Sequence, residues 1–326
     1  MTTILSGKQL AADIRAETSD SAARLAALGT PPRLAVVVAT SDESSAWYVR
    51  SIAKAAEKCG IICSVVDCGA DASAERIASA LRELNEDYTV HGVILQTPLP
   101  TGADFDDLAS SIDFRKDVDG ANPLSHGRLV TNRTAFSPAT AEAVLALLDH
   151  YEVPLAGRRA VVVGRSNVVG KPVAQLLLQR DATITVCHRH TKELAEHTRQ
   201  ADVLVAAVGR AGLVTAEHVA PDTIVIDVGT NPSEQDGLVG DVDAASIHDR
   251  AAGVTPVPGG VGPVTTALLL RHTVRSAADT ADTADTADTA DTADTADTAD
   301  TADTADTADT ADTADTADTA DWSAHI

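Results

Sequence analysis

The stretch Ala160-Val-Val-Val-Gly164-Arg-Ser-Asn-Val-Val-Gly170-Lys-Pro172 limits what this chain can fold into more than any other. Three β-branched residues run into a polar turn bounded by glycines, and Pro172-Val-Ala-Gln-Leu-Leu-Leu178 then sets apolar residues at helical spacing. The pattern predicts strand, tight turn, helix. Such a turn aims free backbone N–H groups and the positive end of a helix dipole at one point, which suits a phosphate. The regular G-x-G-x-x-G spacing is not met, because Ser166 and Val169 stand where glycines would. The flanks therefore decide whether the turn holds a nucleotide.

Those flanks alternate the same two signals. Residues 7–28 place apolar side chains at helical intervals and stop at Gly29, predicting an amphipathic helix. Residues 33–40 read as a buried strand, 44–59 as a helix closed by Gly60, 61–66 as a strand, 73–85 as a helix and 90–95 as a strand. Phe136-Ser-Pro-Ala-Thr140 opens a helix through Leu148 that bridges two domains. Strands are expected again at 160–163, 183–187, 203–208 and 223–228, in a Rossmann-like unit, with a final helix ending near Ala277. This alternation gives an α/β fold with parallel sheets covered on both faces. The loops after the strands should carry the site. They contain Gln96-Thr-Pro-Leu-Pro100, Lys116-Asp-Val-Asp-Gly120 and Thr255-Pro-Val-Pro-Gly-Gly-Val-Gly-Pro263.

The formal net charge of −23 is misleading about the folded part. Fifteen aspartates fall between Asp279 and Asp321, and without them the charge is −8. From Ala278 to Asp321 the chain repeats Ala-Asp-Thr; alanine is its only apolar residue, so burial cannot offset ordering entropy and residues 278–326 are expected to form a disordered acidic tail. No basic stripe suggests nucleic acid, and no apolar run suggests a signal peptide or a membrane span. Cys59, Cys63, Cys68 and Cys187 lack paired metal spacing and read as reduced thiols of a cytoplasmic protein. No metal is expected.

Five motifs together resemble the methylenetetrahydrofolate dehydrogenase/cyclohydrolase family: Ser45-Ala-Trp-Tyr48-Val49 with Gly60-Ile61; Gly92 to Pro100; Lys116 to Gly120; Gly164 to Pro172; and Pro256 to Pro263. The resemblance covers residues 1 to about 277 in order and leaves the repeat outside. It implies a homodimer of two-domain subunits with a cleft between the domains. A folate-binding catalytic domain would span 1–139, completed by a returning segment 258–277, and a Rossmann-like domain 140–257. It implies oxidation of 5,10-methylenetetrahydrofolate to the 5,10-methenyl form with NADP or NAD, and in many members hydrolysis to 10-formyltetrahydrofolate at the same site.

On this resemblance Tyr48 packs on the folate, Gln96 belongs to the catalytic hydrogen-bond set, and Asp119 recognises the pterin, with Pro258, Gly259 and Gly260 lining the substrate. The family lysine four residues after the tyrosine has no match, since that position is Ile52. Lys54 lies two residues on, a rotation of roughly 200° along a helix, and should face away. Hydride transfer needs chiefly positioning, whereas hydrolysis needs managed proton movement. The expectation is a dehydrogenase with weak or absent cyclohydrolase activity. Two smaller departures, Ala139 and Ala141 within the family's Pro-Cys-Thr-Pro segment and Val264 in place of methionine, fall at packing positions.

The candidate nucleotide contacts are Gly164, Arg165, Ser166, Gly170, Arg189 and Thr230. NAD-binding units commonly end their second strand with an acidic residue that holds the ribose. Here that strand ends Val186-Cys-His-Arg-His190, and Arg165 with Arg189 suits a 2′-phosphate, so NADP is favoured over NAD. Each residue also has a plainer reading. Tyr48 alone is an ordinary half-buried aromatic, Gln96 a loop cap, Asp117 with Asp119 a D-x-D lacking a second ligand cluster, and His188 and His190 surface residues. Val168 rules out a serine-hydrolase elbow. A different class is a nucleotide-binding homologue without catalysis, acting in regulation or assembly.

Overall fold

A computed structural model of the chain describes residues 2–233 and 237–294. In order come β1 (Thr3–Ile4), α1 (Lys8–Ala27), β2 (Arg33–Val38), α2 (Glu43–Lys58), β3 (Ile62–Asp67), α3 (Ala74–Glu86) and β4 (Gly92–Leu95). The short α4 (Phe105–Ser110), α5 (Pro123–Val130) and the bridging α6 (Ala139–His150) follow. The second series runs β5 (Arg159–Val163), α7 (Gly170–Leu178), β6 (Thr183–Cys187), α8 (Leu194–Thr198), β7 (Val203–Ala206) and β8 (Ile224–Asp227). A hairpin β9 (Asn231–Ser233) and β10 (Gly237–Val239), α9 (Ala244–Ile247), β11 (Gly253–Val254) and α10 (Val261–Asp294) complete it.

Two wholly parallel sheets result. One has the order β3-β2-β4 and the other β1-β11-β8-β7-β5-β6. β2 and β5 are buried almost throughout, as the valine runs require. β3 is an edge strand with Ile62 and Val65 about half exposed, so the first sheet is not covered on both faces there. β1 belongs to the second sheet although it begins the chain: Thr3 pairs with Gly253 and Ile4 with Val254.

One buried cluster spans the first sheet (Leu34, Val36), the bridge (Val144, Leu148), the second sheet (Val162, Val205) and α10 (Val264, Leu268, Val274). α10 lies against the first sheet, since a Cβ on Gly92 would meet Thr273 Oγ1 at 2.8 Å, and Ser276 donates to the Arg115 carbonyl. The helix does not end near Ala277 as expected but continues to Asp294, through the first turns of the repeat. Alanine and the side-chain spacing of an already nucleated helix allow this, because adding a residue costs far less than starting a helix. The rest of the tail expected to be disordered lies outside the described residues. The described residues to Thr283 form one compact unit, and the described residues from Ala284 are grouped apart. Among the described residues no helix is long and apolar enough to cross a membrane.

Candidate active site

Three loops at strand ends bring the folate-side candidates together. Asp42 caps α2 by accepting from Ser45 N at 2.8 Å, and Ser45 Oγ donates to the Thr97 carbonyl at 2.9 Å, which ties the helix carrying Tyr48 to the loop carrying Gln96. Tyr48 and Gln96 line a cavity of about 490 Å³ with Asp42, Ser45, Thr97 and Pro98. The Tyr48 hydroxyl pairs with Thr266 on α10, and burial, then the nearby Asp119 charge, push its ionisation up to about 12. Tyr48 therefore stays protonated at any physiological pH.

Asp117 and Asp119 differ sharply although two residues apart. Asp117 is fully buried, and its carboxylate accepts from Ala121 N, Asn122 N and Ser125 Oγ at 2.8 to 2.9 Å, so it shapes the loop. Asp119 is half-buried and its carboxylate takes no hydrogen bond from protein among the described residues. Burial, followed by the Asp117 charge, pushes Asp119 up to about 7, with His272 opposing the rise. A carboxylate so placed is open to a ligand's N–H donors. Gly120 must be glycine: its φ is +66°, and a Cβ there would meet Pro138 N at 2.4 Å.

Ile52 lies one turn after Tyr48 and is fully buried on the apolar face of α2 with Val49 and Ala56. Lys54 lines a separate depression with Ala53, Glu57 and Ile62.

Pro258, Gly259 and Gly260 lead into α10. Val257–Pro258 and Thr97–Pro98 are cis peptides. The Gly259 carbonyl accepts from Gly7 N at 2.9 Å, and a Cβ on Gly7 would meet Gly260 O at 2.1 Å, so the start of α1 is seated on this loop.

On the second sheet the opening turn takes its expected form. Gly164 has φ +134° and a Cβ there would meet Ala207 O at 2.1 Å; a Cβ on Gly170 would meet Gly164 O at 2.3 Å. Ser166 Oγ accepts from Val169 N and Gly170 N at the start of α7. The glycines form a cradle against which a dinucleotide phosphate fits. Val163 pairs with Cys187, so Arg165 and Arg189 stand at matching places just beyond adjacent strands, both exposed and without an ion pair among the described residues. Thr230 is exposed beyond β8. His188 and His190 meet edge to face at 6.0 Å beside Arg189. Asn167 Nδ2 donates to Asp106 Oδ2 at 2.8 Å, linking this turn to α4.

Sequence reasoning did not find Thr266 or His272. His272 is buried and Thr266 half-buried on α10, where a polar residue amid Leu and Val gives no periodic signal; their spacing from the Gly-Pro at the helix start was the available clue.

Comparison with known proteins gives the family. Residues 5–119 match the tetrahydrofolate dehydrogenase/cyclohydrolase catalytic domain, and residues 138–281 match its NAD(P)-binding domain. Bifunctional protein FolD 1 of Saccharopolyspora erythraea is 68% identical over 277 residues, 85% of this chain and 94% of that protein. Bifunctional protein FolD 1 of Rhodococcus jostii is 62% identical over 277 residues, 85% and 93% of the two chains. The crystal structure of the bifunctional FolD dehydrogenase/cyclohydrolase of Campylobacter jejuni superposes with a TM-score of 0.83 at 40% identity, covering 86% of this chain and 99% of that one. The Trypanosoma brucei enzyme complexed with NADP and inhibitor gives 0.82 at 37%, covering 86% and 98%. The chain belongs to the bifunctional tetrahydrofolate dehydrogenase/cyclohydrolase family of one-carbon metabolism.

Proposed function

We propose that the protein oxidises 5,10-methylenetetrahydrofolate to the methenyl form with NADP, and that its hydrolysis of that product to 10-formyltetrahydrofolate is weak or absent. The observation that carries the reading is the pairing of Asp119 close to Tyr48, which shares a cavity with Gln96, with a fully buried isoleucine at the lysine position. Asp119 accepts from the pterin ring, Tyr48 packs on it as a neutral aromatic, and Gln96 completes the polar wall. Gly164, Ser166 and Gly170 hold the pyrophosphate, Thr230 a further part of the nucleotide, and Arg165 with Arg189 its 2′-phosphate. When bound, the nicotinamide supplies a hydride acceptor.

Loss of the hydride leaves a cation spread over the folate nitrogens, with no proton that the protein must remove. Positioning by Tyr48, Asp119 and the Pro258-Gly259-Gly260 loop suffices for that step. Water attack on the methenyl carbon does need a proton manager, worth roughly 10²–10⁴-fold, and Ile52 has no group to offer. Lys54, in its own depression with Glu57, does not replace it. We infer a cytoplasmic homodimer, as the family resemblance implies.

Following absorbance of the methenyl product with methylenetetrahydrofolate and NADP, and separately its disappearance in buffer corrected for spontaneous hydrolysis, tests both halves. The expected result is NADP reduction with a clear preference over NAD and a hydrolysis rate at least about tenfold slower than hydride transfer. Comparable rates would overturn the second half; absent NADP reduction would overturn the first.

A further inference from the structure

His272 sits on α10 at 4% exposure, its ring tilted on Phe136 with centroids 4.9 Å apart. Nδ1 is 2.7 Å from the carbonyl oxygen of Val118, the residue before Asp119, and Nε2 is 3.0 Å from Glu142 Oε2 on α6. A carbonyl only accepts, so Nδ1 carries a proton. The Glu142 carboxylate also accepts, and its other oxygen takes a hydrogen bond from Arg271 Nη2 at 2.7 Å. Acceptors thus face both ring nitrogens. Burial works against the Glu142 charge, but the hydrogen bonds and charges of His272 and Arg271 prevail and hold it down, at about 2.

We propose that His272, kept as an imidazolium by Glu142, is a positioning residue for Asp119: it fixes the Val118 carbonyl and sets a positive charge facing the pterin-binding carboxylate. The proposal rests on the reading of Asp119 given above. His126 on α5 faces the same loop through Gly120 and Asp117, Arg275 on α10 lines the same depression as His272, and the remaining charged groups each have a defined sense. From the 116–120 loop Asp117 opposes ionisation of Asp119; from α2 Tyr48 is neutral; from α6 Glu142 offsets His272; on α10 itself Arg271 is occupied by Glu142. A positive charge on His272 favours an ionised Asp119. A bare structural histidine in the core would need neither the second acceptor nor the placement next to this one peptide.

Three variants and one spectrum test this. H272N keeps a donor but no charge, and E142Q leaves the Nδ1 hydrogen bond while removing the partner that holds the second proton. Both should move the acidic limb of kcat/KM for methylenetetrahydrofolate upward by about one pH unit, with a several-fold higher folate KM at pH 7 and an unchanged KM for NADP. A merely structural role would lower the melting temperature and leave the limb in place, and that outcome overturns the proposal. Imidazole ¹⁵N shifts, with His272 assigned by its loss in H272N, should report a doubly protonated ring at pH 7; a neutral ring overturns it independently of activity. D119N separates the two readings. If D119N keeps wild-type kcat/KM, the assignment of Asp119 fails; if D119N falls while H272N and E142Q keep the wild-type limb, the His272 proposal alone fails.

Discussion

At the residue scale, two aspartates and one isoleucine divide the work. Asp117 has its oxygens filled by two backbone N–H groups and a serine, whereas the Asp119 carboxylate takes no hydrogen bond among the described residues. D117N should therefore cost about 2 to 3 kcal/mol of unfolding free energy in urea titrations, from unsatisfied buried donors. D119N should instead keep the fold and lose about 10²-fold in kcat/KM. The sign of the pH effect follows from the direction of the shift. Asp119 is raised from 3.8 to about 7 in the folded state, so its stabilising contribution is present below about pH 3.8 and lost as pH rises through about 7. D119N should then gain on the wild type in stability as pH rises from about 4 to about 7, and a loss there would contradict the burial argument. Ile52 supports the opposite trade. I52K places an ammonium where an alkyl group is fully buried, costing about 2 to 4 kcal/mol, and should raise methenyl hydrolysis by at least about tenfold. Denaturation and the hydrolysis assay on the same protein check both. The sequence reading puts Ile52 at the lysine position by the register of Tyr48 and Gly60, but burial of its side chain could be read only from packing.

At the element scale, the loops after β7 and β8 are held by two buried aspartates. Asp241 accepts from Val208 N, Gly209 N, Arg210 N and Asn231 Nδ2, at 2.6 to 3.0 Å, and Asp227 accepts from Gly229 N, Asp241 N and Val242 N. The turns after β7 and β8 are thus fixed to one another, and Thr255 Oγ1 accepts from Asp227 N at 2.7 Å, extending the network to the Pro-Gly-Gly loop. D241A should leave four donors without this partner, lower stability by about 3 kcal/mol, and raise KM for NADP roughly tenfold while folate KM stays within about twofold; calorimetry and steady-state kinetics measure these. None of this was legible beforehand, because a hydrogen-bond partner fourteen or thirty residues away leaves no local pattern. The longer strands and helices were legible, since valine runs, caps and glycine stops act within a few residues; the short α4, α5, α8, α9, β9 and β10 were not expected. β1 and β11 were not, being two residues each, too short for periodicity to register and defined only by pairing across the whole chain. The last helix passed its expected stop because no glycine or proline interrupts the Ala-Asp-Thr repeat.

At the scale of the whole molecule, one buried cluster takes in residues from both sheets, the α6 bridge and α10. A shared core links the two halves energetically, so calorimetry of the intact chain should give a single transition for the folded part, and two separable transitions would show the halves independent. The fifteen aspartates of the repeat add a second, long-range property. Folates and NADP are both anions, and a dense negative segment repels both wherever it lies within a screening distance. That distance is about 8 Å at physiological ionic strength and about 30 Å at 0.01 M. The folate-side candidates all precede Thr273 and the nucleotide candidates precede Asn231, so deletion of residues 295–326 removes nine of these aspartates and no site residue. KM for both ligands should then fall on deletion at about 0.01 M salt and match the intact chain at about 0.15 M. A KM change that persists at the higher salt, or that affects only one ligand, would mean contact by the deleted segment in place of a field, and parallel titrations of KM against salt for the two chains distinguish these outcomes.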